Sequence, residues 1–154
     1  MQVSVIGSST ENGEMYRLSH ELGRELANKG HSVICGGKGG IMEAVSKGVH
    51  ECGGLVVGIL PDDRRGCGNR YLSAEIVTGI KEMRNLIVVL SGDVIVAFPG
   101  SYGTVSEMSF AMRYNKKMVI VRPDLHKYLV DGTNVSFADD LVGIMNKISE
   151  LHDL

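Results

Sequence analysis

Apolar and polar positions follow two rhythms along this chain. Short apolar runs recur at Val3–Ile6, His31–Cys35, Leu55–Leu60, Ala74–Val77, Asp93–Phe98 and Lys117–Val121. They are rich in β-branched residues and bounded by glycine or polar residues, as buried strands are. Leu55–Leu60 is almost wholly apolar, which predicts a central strand. Between the runs, apolar residues return at the helical period. Met15, Leu18, Leu22 and Leu26 mark a helix from about Glu14 to Asn28, and Gly30 stands where a terminating glycine belongs. Ile41, Met42, Val45 and Val49 mark a second helix, closed near Gly53-Gly54. A third helix is predicted from Ile80 to Ser91, and a fourth from Thr104 to about Tyr114. Residues from Leu125 to Thr133 carry no clear period. Ser136 with Asp139 resembles a capping pair for a last helix ending near Leu151.

Strands therefore alternate with helices along almost the whole chain. That pattern predicts one α/β domain over residues 1–154, a doubly wound, mostly parallel sheet with helices on both faces and right-handed crossovers. Ligands of such sheets sit at the carboxyl ends of the strands. Three glycine-rich turns fall at that edge: one opened by Gly7 and Ser8, one at Gly36-Gly37-Lys38-Gly39-Gly40, and one at Pro99-Gly100-Ser101-Tyr102-Gly103. The third joins a strand directly to a helix beginning at Thr104. Such a turn presents free backbone N–H groups at the positive end of a helix dipole, so Gly100–Thr104 is predicted to cradle a phosphate. Gly36–Gly40 is predicted to face it, with Lys38 supplying charge. That turn has neither Walker A nor G-x-G-x-x-G spacing.

Two residues carry candidate chemistry, and each has a structural alternative. Thr104-Val105-Ser106-Glu107 fits a capping box, in which Glu107 only closes the helix. Glu107 is otherwise a carboxylate in the cleft, one turn above the phosphate turn. Arg84 falls beside apolar Ile80, Ile87 and Val88, where a guanidinium needs a partner or a ligand. Its alternative is a packed stem with the head in water. Arg64, Arg65, Arg70, Tyr71, Tyr102, Arg113 and Tyr114 are within plausible reach of a ligand, but the sequence does not rank them. Cys35 ends its strand at the ligand edge and is a further candidate for lining the site. Pro61–Arg70 is a charged loop without apolar periodicity, expected to respond to ligand.

Composition narrows the function classes. With 154 residues, 44% hydrophobic, 22% charged and a net charge of −2, the chain is an ordinary globular domain. It lacks the basic excess that nucleic acid or an anionic membrane requires. The three cysteines have no CxxC spacing and form no zinc pattern with the five histidines. No metal is expected, and a reducing, cytoplasmic location is. A strand at Gln2–Ile6 with no signal peptide ahead of it agrees.

The chain resembles the Rossmann-like family that includes the Lonely Guy cytokinin-activating phosphoribohydrolases, proteins labelled possible lysine decarboxylases, and molybdenum-cofactor carrier proteins. The family's P-G-G-x-G-T-x-x-E motif reads here Pro99-Gly100-Ser101-Tyr102-Gly103-Thr104-Val105-Ser106-Glu107. Met83-Arg84-Asn85 matches the upstream M-x-x-R-K or R-N element, with Arg84 directly after Met83 rather than after two intervening residues, and Gly36–Met42 resembles the G-G-G-x-x-G-L-M turn. Ser101 replaces a motif glycine, and Asn85 stands where the cytokinin enzymes have Lys. The Arg-Asn form is closer to the carrier branch. No lysine sits in a pyridoxal-phosphate pattern, so lysine decarboxylation is not expected. The resemblance implies Arg84 and Glu107 as catalytic residues. It implies Gly7, Ser8, Gly36–Gly40, Met83, Asn85 and Pro99–Thr104 as phosphate or nucleotide contacts. It also implies a homodimer or higher homo-oligomer. Two functions stay open ahead of a third, a regulatory nucleotide sensor. One is hydrolysis of the N-glycosidic bond of a nucleoside 5′-monophosphate, with no cofactor required. The other is non-catalytic carriage of a pterin-type molybdenum cofactor.

Overall fold

A computed structural model describes residues 1–122 and 134–153. The unassigned stretch from Leu125 to Thr133 lies outside the described residues. Among these, seven strands form one sheet: β1 (Gln2–Ile6), β2 (Ser32–Cys35), β3 (Val56–Leu60), β4 (Ala74–Val77), β5 (Val94–Ala97), β6 (Lys117–Val121) and β7 (Val135–Ala138). The helices are α1 (Glu14–Asn28), α2 (Ile41–Glu51), α3 (Arg84–Ser91), α4 (Tyr102–Arg113) and α5 (Leu141–His152). Every strand pair is parallel, and the spatial order is β4-β3-β2-β1-β5-β6-β7. The sheet is the doubly wound, Rossmann-like form expected. No helix among the described residues is long and apolar enough to cross a membrane.

Side-chain alternation along the inner strands explains the two layers. Val94 and Val96 of β5 point to one face, Ile95 and Ala97 to the other. The first face is covered by Leu22 and Leu26 of α1, Val45 and Val49 of α2, and Ile144 and Ile148 of α5. The second is covered by Val88 and Val89 of α3 and Met108 and Ala111 of α4. Every β5 residue is buried, because both faces of the strand are covered.

Three expectations change. β3 is an inner strand but lies one place from the β4 edge; its apolar run reflects cover on both faces, which non-central strands also receive. The predicted helix from Ile80 is broken, with a 3-10 turn at Lys81–Met83 preceding α3. Lys81 takes a positive φ of 55° there, so the chain cannot run on as one helix. Finally, Ser136 is not a cap. It lies within β7, paired with Val119 of β6, and Asp140 caps α5 by accepting from the Gly143 N–H at 2.7 Å. The strand ladder outcompetes the local capping pair because it satisfies more backbone groups.

The two helices on the α2 side approach closely at glycines. A Cβ on Gly23 would collide with the Val45 carbonyl oxygen, and one on Gly48 with that of His20. This contact sets the tilt of α2, whose first turn borders the ligand edge. Gly48→Ala gains about 1 kcal/mol of helix propensity. Rigid backbone opposes the added methyl, and overpacking costs about 1–3 kcal/mol. A urea titration should show a lower midpoint for Gly48→Ala; a higher midpoint would show that the helices separate freely.

Candidate functional site

The strand order reverses at β1, which pairs with β2 on one side and β5 on the other. Chains leaving β1 and β5 diverge to opposite faces, and a crevice opens between them. The Ser8 N–H donates to the Pro99 carbonyl at 3.1 Å, and the Ile41 N–H donates to the Ser8 carbonyl at 2.9 Å. All three glycine-rich turns are thereby stitched together. Glycine is required by the close approach: a Cβ on Gly100 would collide with Thr104 Oγ1 and crowd the Ser8 nitrogen. At Gly40 both φ, at 61°, and the Ser8 carbonyl exclude a side chain.

The resulting cleft encloses about 180 Å3 and is lined by Gly7, Ser9, Met42, Pro61, Glu82, Arg84, Asn85, Ser101, Gly103, Thr104 and Glu107. Larger hollows of about 500 and 560 Å3 lie elsewhere, around Met1, Asp93 and His152 and along Arg65–Glu75. Neither contains a helix N-terminus or a buried ionisable pair.

One wall is the start of α4. The helix begins at Tyr102, two residues before the position expected, and Ser101 is its cap residue without a side-chain cap bond. The Tyr102, Gly103 and Thr104 N–H groups therefore lie in the first turn, where no intrahelical acceptor exists. This start overturns the capping-box reading. Thr104 is inside the helix, so Glu107 does not cap it. Glu107 instead projects one turn along and is buried in the cleft floor.

Glu107 meets Arg84 there. Arg84 Nη1 stands 3.8 Å from Glu107 Oε1, an ion pair too long to be a hydrogen bond. Both residues are buried, and among the described residues Arg84 Nε has no hydrogen-bond partner. Arg84 is thus neither solvated at the stripe's edge nor satisfied by protein. Gly36 makes room for it: a Cβ there would collide with the guanidinium and with Met42 Sδ. Burial pushes the Glu107 carboxyl up to about 7, against the opposing pull of Arg84. Burial likewise lowers Arg84 from its ordinary value, with Glu107 the chief influence holding it up. A carboxyl that titrates near neutrality, beside a guanidinium with unused donors, can exchange a proton or stabilise a developing cation.

Of the residues proposed from sequence, Gly7, Arg84, Asn85, Ser101, Gly103, Thr104 and Glu107 line this cleft. Ser8, Pro99 and Gly100 form the stitch beneath it. Gly36, Gly37, Gly39 and Gly40 stand behind, and the Gly37 carbonyl accepts from the Asn69 N–H. Lys38 points away: its Nζ lies 2.5 Å from Asp62 Oδ2 and donates to the Cys67 carbonyl at 2.8 Å. That contact holds the Asp62 carboxyl below its usual range. Tyr102 and Met83 are largely in solvent. Cys35 is fully buried in the core and lines no part of the cleft; burial raises its thiol, opposing ionisation. Arg70 pairs with Tyr71 outside the cleft. Asp93 is a strand-start residue at the opposite edge, accepting from the Gln2 N–H. Ser9, Met42, Pro61 and Glu82 were not singled out as contacts. Pro61 follows β3 at the ligand edge and Glu82 adjoins Met83-Arg84 in the chain, but that they meet in one cleft depends on how distant segments pack.

Comparison with known proteins places the chain. The SLOG cluster4 family matches residues 1–151. An uncharacterised protein of Archaeoglobus fulgidus is 38% identical over 88% of this chain and 87% of its own length. The cytokinin riboside 5′-monophosphate phosphoribohydrolase LOG5 of Arabidopsis thaliana is 35% identical over 66% of this chain, a match spanning 46% of the plant enzyme. The structure of the molybdenum cofactor carrier protein of Chlamydomonas reinhardtii superposes with a TM-score of 0.88 at 28% identity, covering 99% of both chains.

The raised Glu107 carboxyl makes stability depend on pH. Its ordinary value is 4.5 and its folded value about 7, so between these the native state binds the extra proton. Stability from this group is present below about 4.5 and is lost as pH rises through about 7, by about 3 kcal/mol. Glu107→Gln removes this slope. Chemical denaturation at pH 5 and pH 8 should show the variant gaining on the natural protein by about that amount. A constant difference would place Glu107 in contact with water.

Proposed function

The chain belongs to the SLOG cluster4 family, and on that premise we propose that its cleft binds a nucleoside 5′-monophosphate and hydrolyses the N-glycosidic bond. The observation that carries this reading is the Arg84–Glu107 pair, buried on the wall of the same cleft into which the α4 N-terminus opens. The Tyr102, Gly103 and Thr104 N–H groups hold the phosphate, aided by the helix dipole. Arg84, with Nε unsatisfied, orients Glu107 and meets the substrate. As the bond from C1′ to the base nitrogen breaks, the ribose acquires oxocarbenium character. Ionised Glu107 stabilises that charge. Water forms the new bond to C1′, and its proton passes to the departing base, giving free base and ribose 5-phosphate. Asn85, buried beside Arg84, contributes a neutral donor and acceptor where the cytokinin enzymes carry a charge.

A second reading is favoured by a separate observation. The likeness to the carrier protein runs over 99% of both chains, whereas the plant enzyme is matched over 46% of its length. The same phosphate turn would then hold a pterin-type molybdenum cofactor without turnover. Both readings include a homodimer. Ile80, Met83, Ile87 and Leu90 form an exposed apolar stripe along α3 and its preceding turn, with Met112 exposed on the neighbouring α4. A second copy would cover it.

Two measurements check these statements. Incubation with a panel of nucleoside 5′-monophosphates should release free base. The rate constant kcat/KM should rise with pH through about 7, as Glu107 ionises in the free protein. Glu107→Gln should lose about 100-fold or more and show a flat profile. No base release, with tight binding of a pterin phosphate, would establish the carrier reading instead. Sedimentation should show a dimer that Leu90→Glu converts to monomer; an unchanged mass would remove α3 from the interface.

A further inference from the structure

The cleft contains a second carboxylate that the chemistry above does not use. Glu82 lines it from the 3-10 turn that precedes α3, and unlike Glu107 it is exposed. Among the described residues it makes no ion pair. In a cleft built for a phosphate, a free carboxylate works against the ligand's charge. Its field helps to hold the buried Arg84 charged, and its exposed oxygens remain able to accept from hydrogen-bond donors on another part of the ligand.

The backbone that carries Glu82 is held firmly. Thr78 Oγ1 donates to the Leu60 carbonyl at 2.6 Å, the Gly79 N–H to Asp62 at 2.8 Å, and the Lys81 N–H to Pro61 at 3.1 Å. Lys81, immediately before Glu82, takes a φ of 55° that non-glycine residues rarely adopt. Strain of this kind survives where surrounding bonds over-determine the conformation, and it collects at ligand clamps. Glu82 therefore leaves a turn after β4 that is tethered to the end of β3, and it shares the cleft with the first turn of α4.

Size selects the part of the ligand that Glu82 meets. The cleft holds about 180 Å3, below the roughly 300–1,000 Å3 of sites that enclose a whole drug-sized ligand. It suits a sugar phosphate, with the base extending outward. We propose that Glu82 is a specificity-determining residue whose carboxylate accepts hydrogen bonds from the vicinal 2′- and 3′-hydroxyls of ribose, so that the cleft selects ribonucleotides over 2′-deoxyribonucleotides. Two carboxylate oxygens match two adjacent hydroxyl donors, and a deoxyribose leaves one of them unpaired. This rests on the nucleotide reading of the cleft.

The test compares AMP, 2′-deoxy-AMP and IMP as probes, by calorimetric binding and by base release, for the natural protein and Glu82→Ala. The natural protein should prefer AMP over 2′-deoxy-AMP by about tenfold, the order of one charge-assisted hydrogen bond. In Glu82→Ala the preference should collapse toward unity because AMP weakens, while the melting temperature holds, since the side chain is exposed. An AMP to 2′-deoxy-AMP ratio unchanged by the substitution overturns the proposal. So does a variant that loses discrimination between AMP and IMP instead, which would assign Glu82 to the base amino group. Failure of the underlying reading is seen separately, as no binding of any monophosphate by the natural protein, and removes both.

Discussion

The pairing of β1 with β5 is the constraint on which the rest of the molecule depends. Because β1 pairs with β2 on its other side, the chain winds outward in both directions from this seam. The loops after β1 and β5 must then part, and the Ser8–Pro99 hydrogen bond holds their backbones together. Gly100 is confined by that contact, and Gly40 by the Ser8 carbonyl. The α4 N-terminus therefore opens into a crevice. Backbone donors at a helix start are fixed in advance, so an anion there would need no large reorganisation.

Desolvation sets the proton affinities in the cleft. Arg84 and Glu107 come from helices on the same face of the sheet, and α3 packs on α4 through Val88, Val89, Met108 and Ala111. That packing carries both ionisable heads below the surface. At 3.8 Å their attraction does not fully offset the loss of water, so Glu107 is pushed up to about 7 and Arg84 down. A buried pair of this kind contributes little to stability. Its value is a carboxyl poised near neutrality and a guanidinium with a donor to spare. Lys38, by contrast, is spent on Asp62 and Cys67, joining the turn after β2 to the loop after β3. Positive charge in the cleft thus comes from the α4 N-terminus and Arg84.

Much of this was legible in the chain itself. The two hydrophobic periods located the strands and helices within a residue or two, except where tertiary pairing intervened. Ser136 shows the exception: its local pattern fits a cap, but β6 offered it a strand partner. Lys81 shows another, since nothing in its neighbours signals a positive φ. Of the motif from Pro99 to Glu107, Ser101, Gly103, Thr104 and Glu107 line the cleft, while Glu82 and Ser9 escaped because their presence there depends on how distant segments meet.

The sequence alone determined the alternation of strands and helices, the parallel sheet that follows from it, and the glycine turns at its carboxyl edge. These depend on local periodicity and on backbone sterics, which neighbouring residues encode. The tertiary structure decided the rest. It chose between Glu107 as helix cap and Glu107 as buried acid, because the helix start at Tyr102 depends on the stitch to Ser8. It decided that Arg84 is buried without a full partner among the described residues, since burial is set by α4 and by the absent side chain at Gly36. It turned Lys38 away and brought Glu82 in. Burial, and the shift in proton affinity it causes, arises only when segments far apart in the chain exclude solvent together.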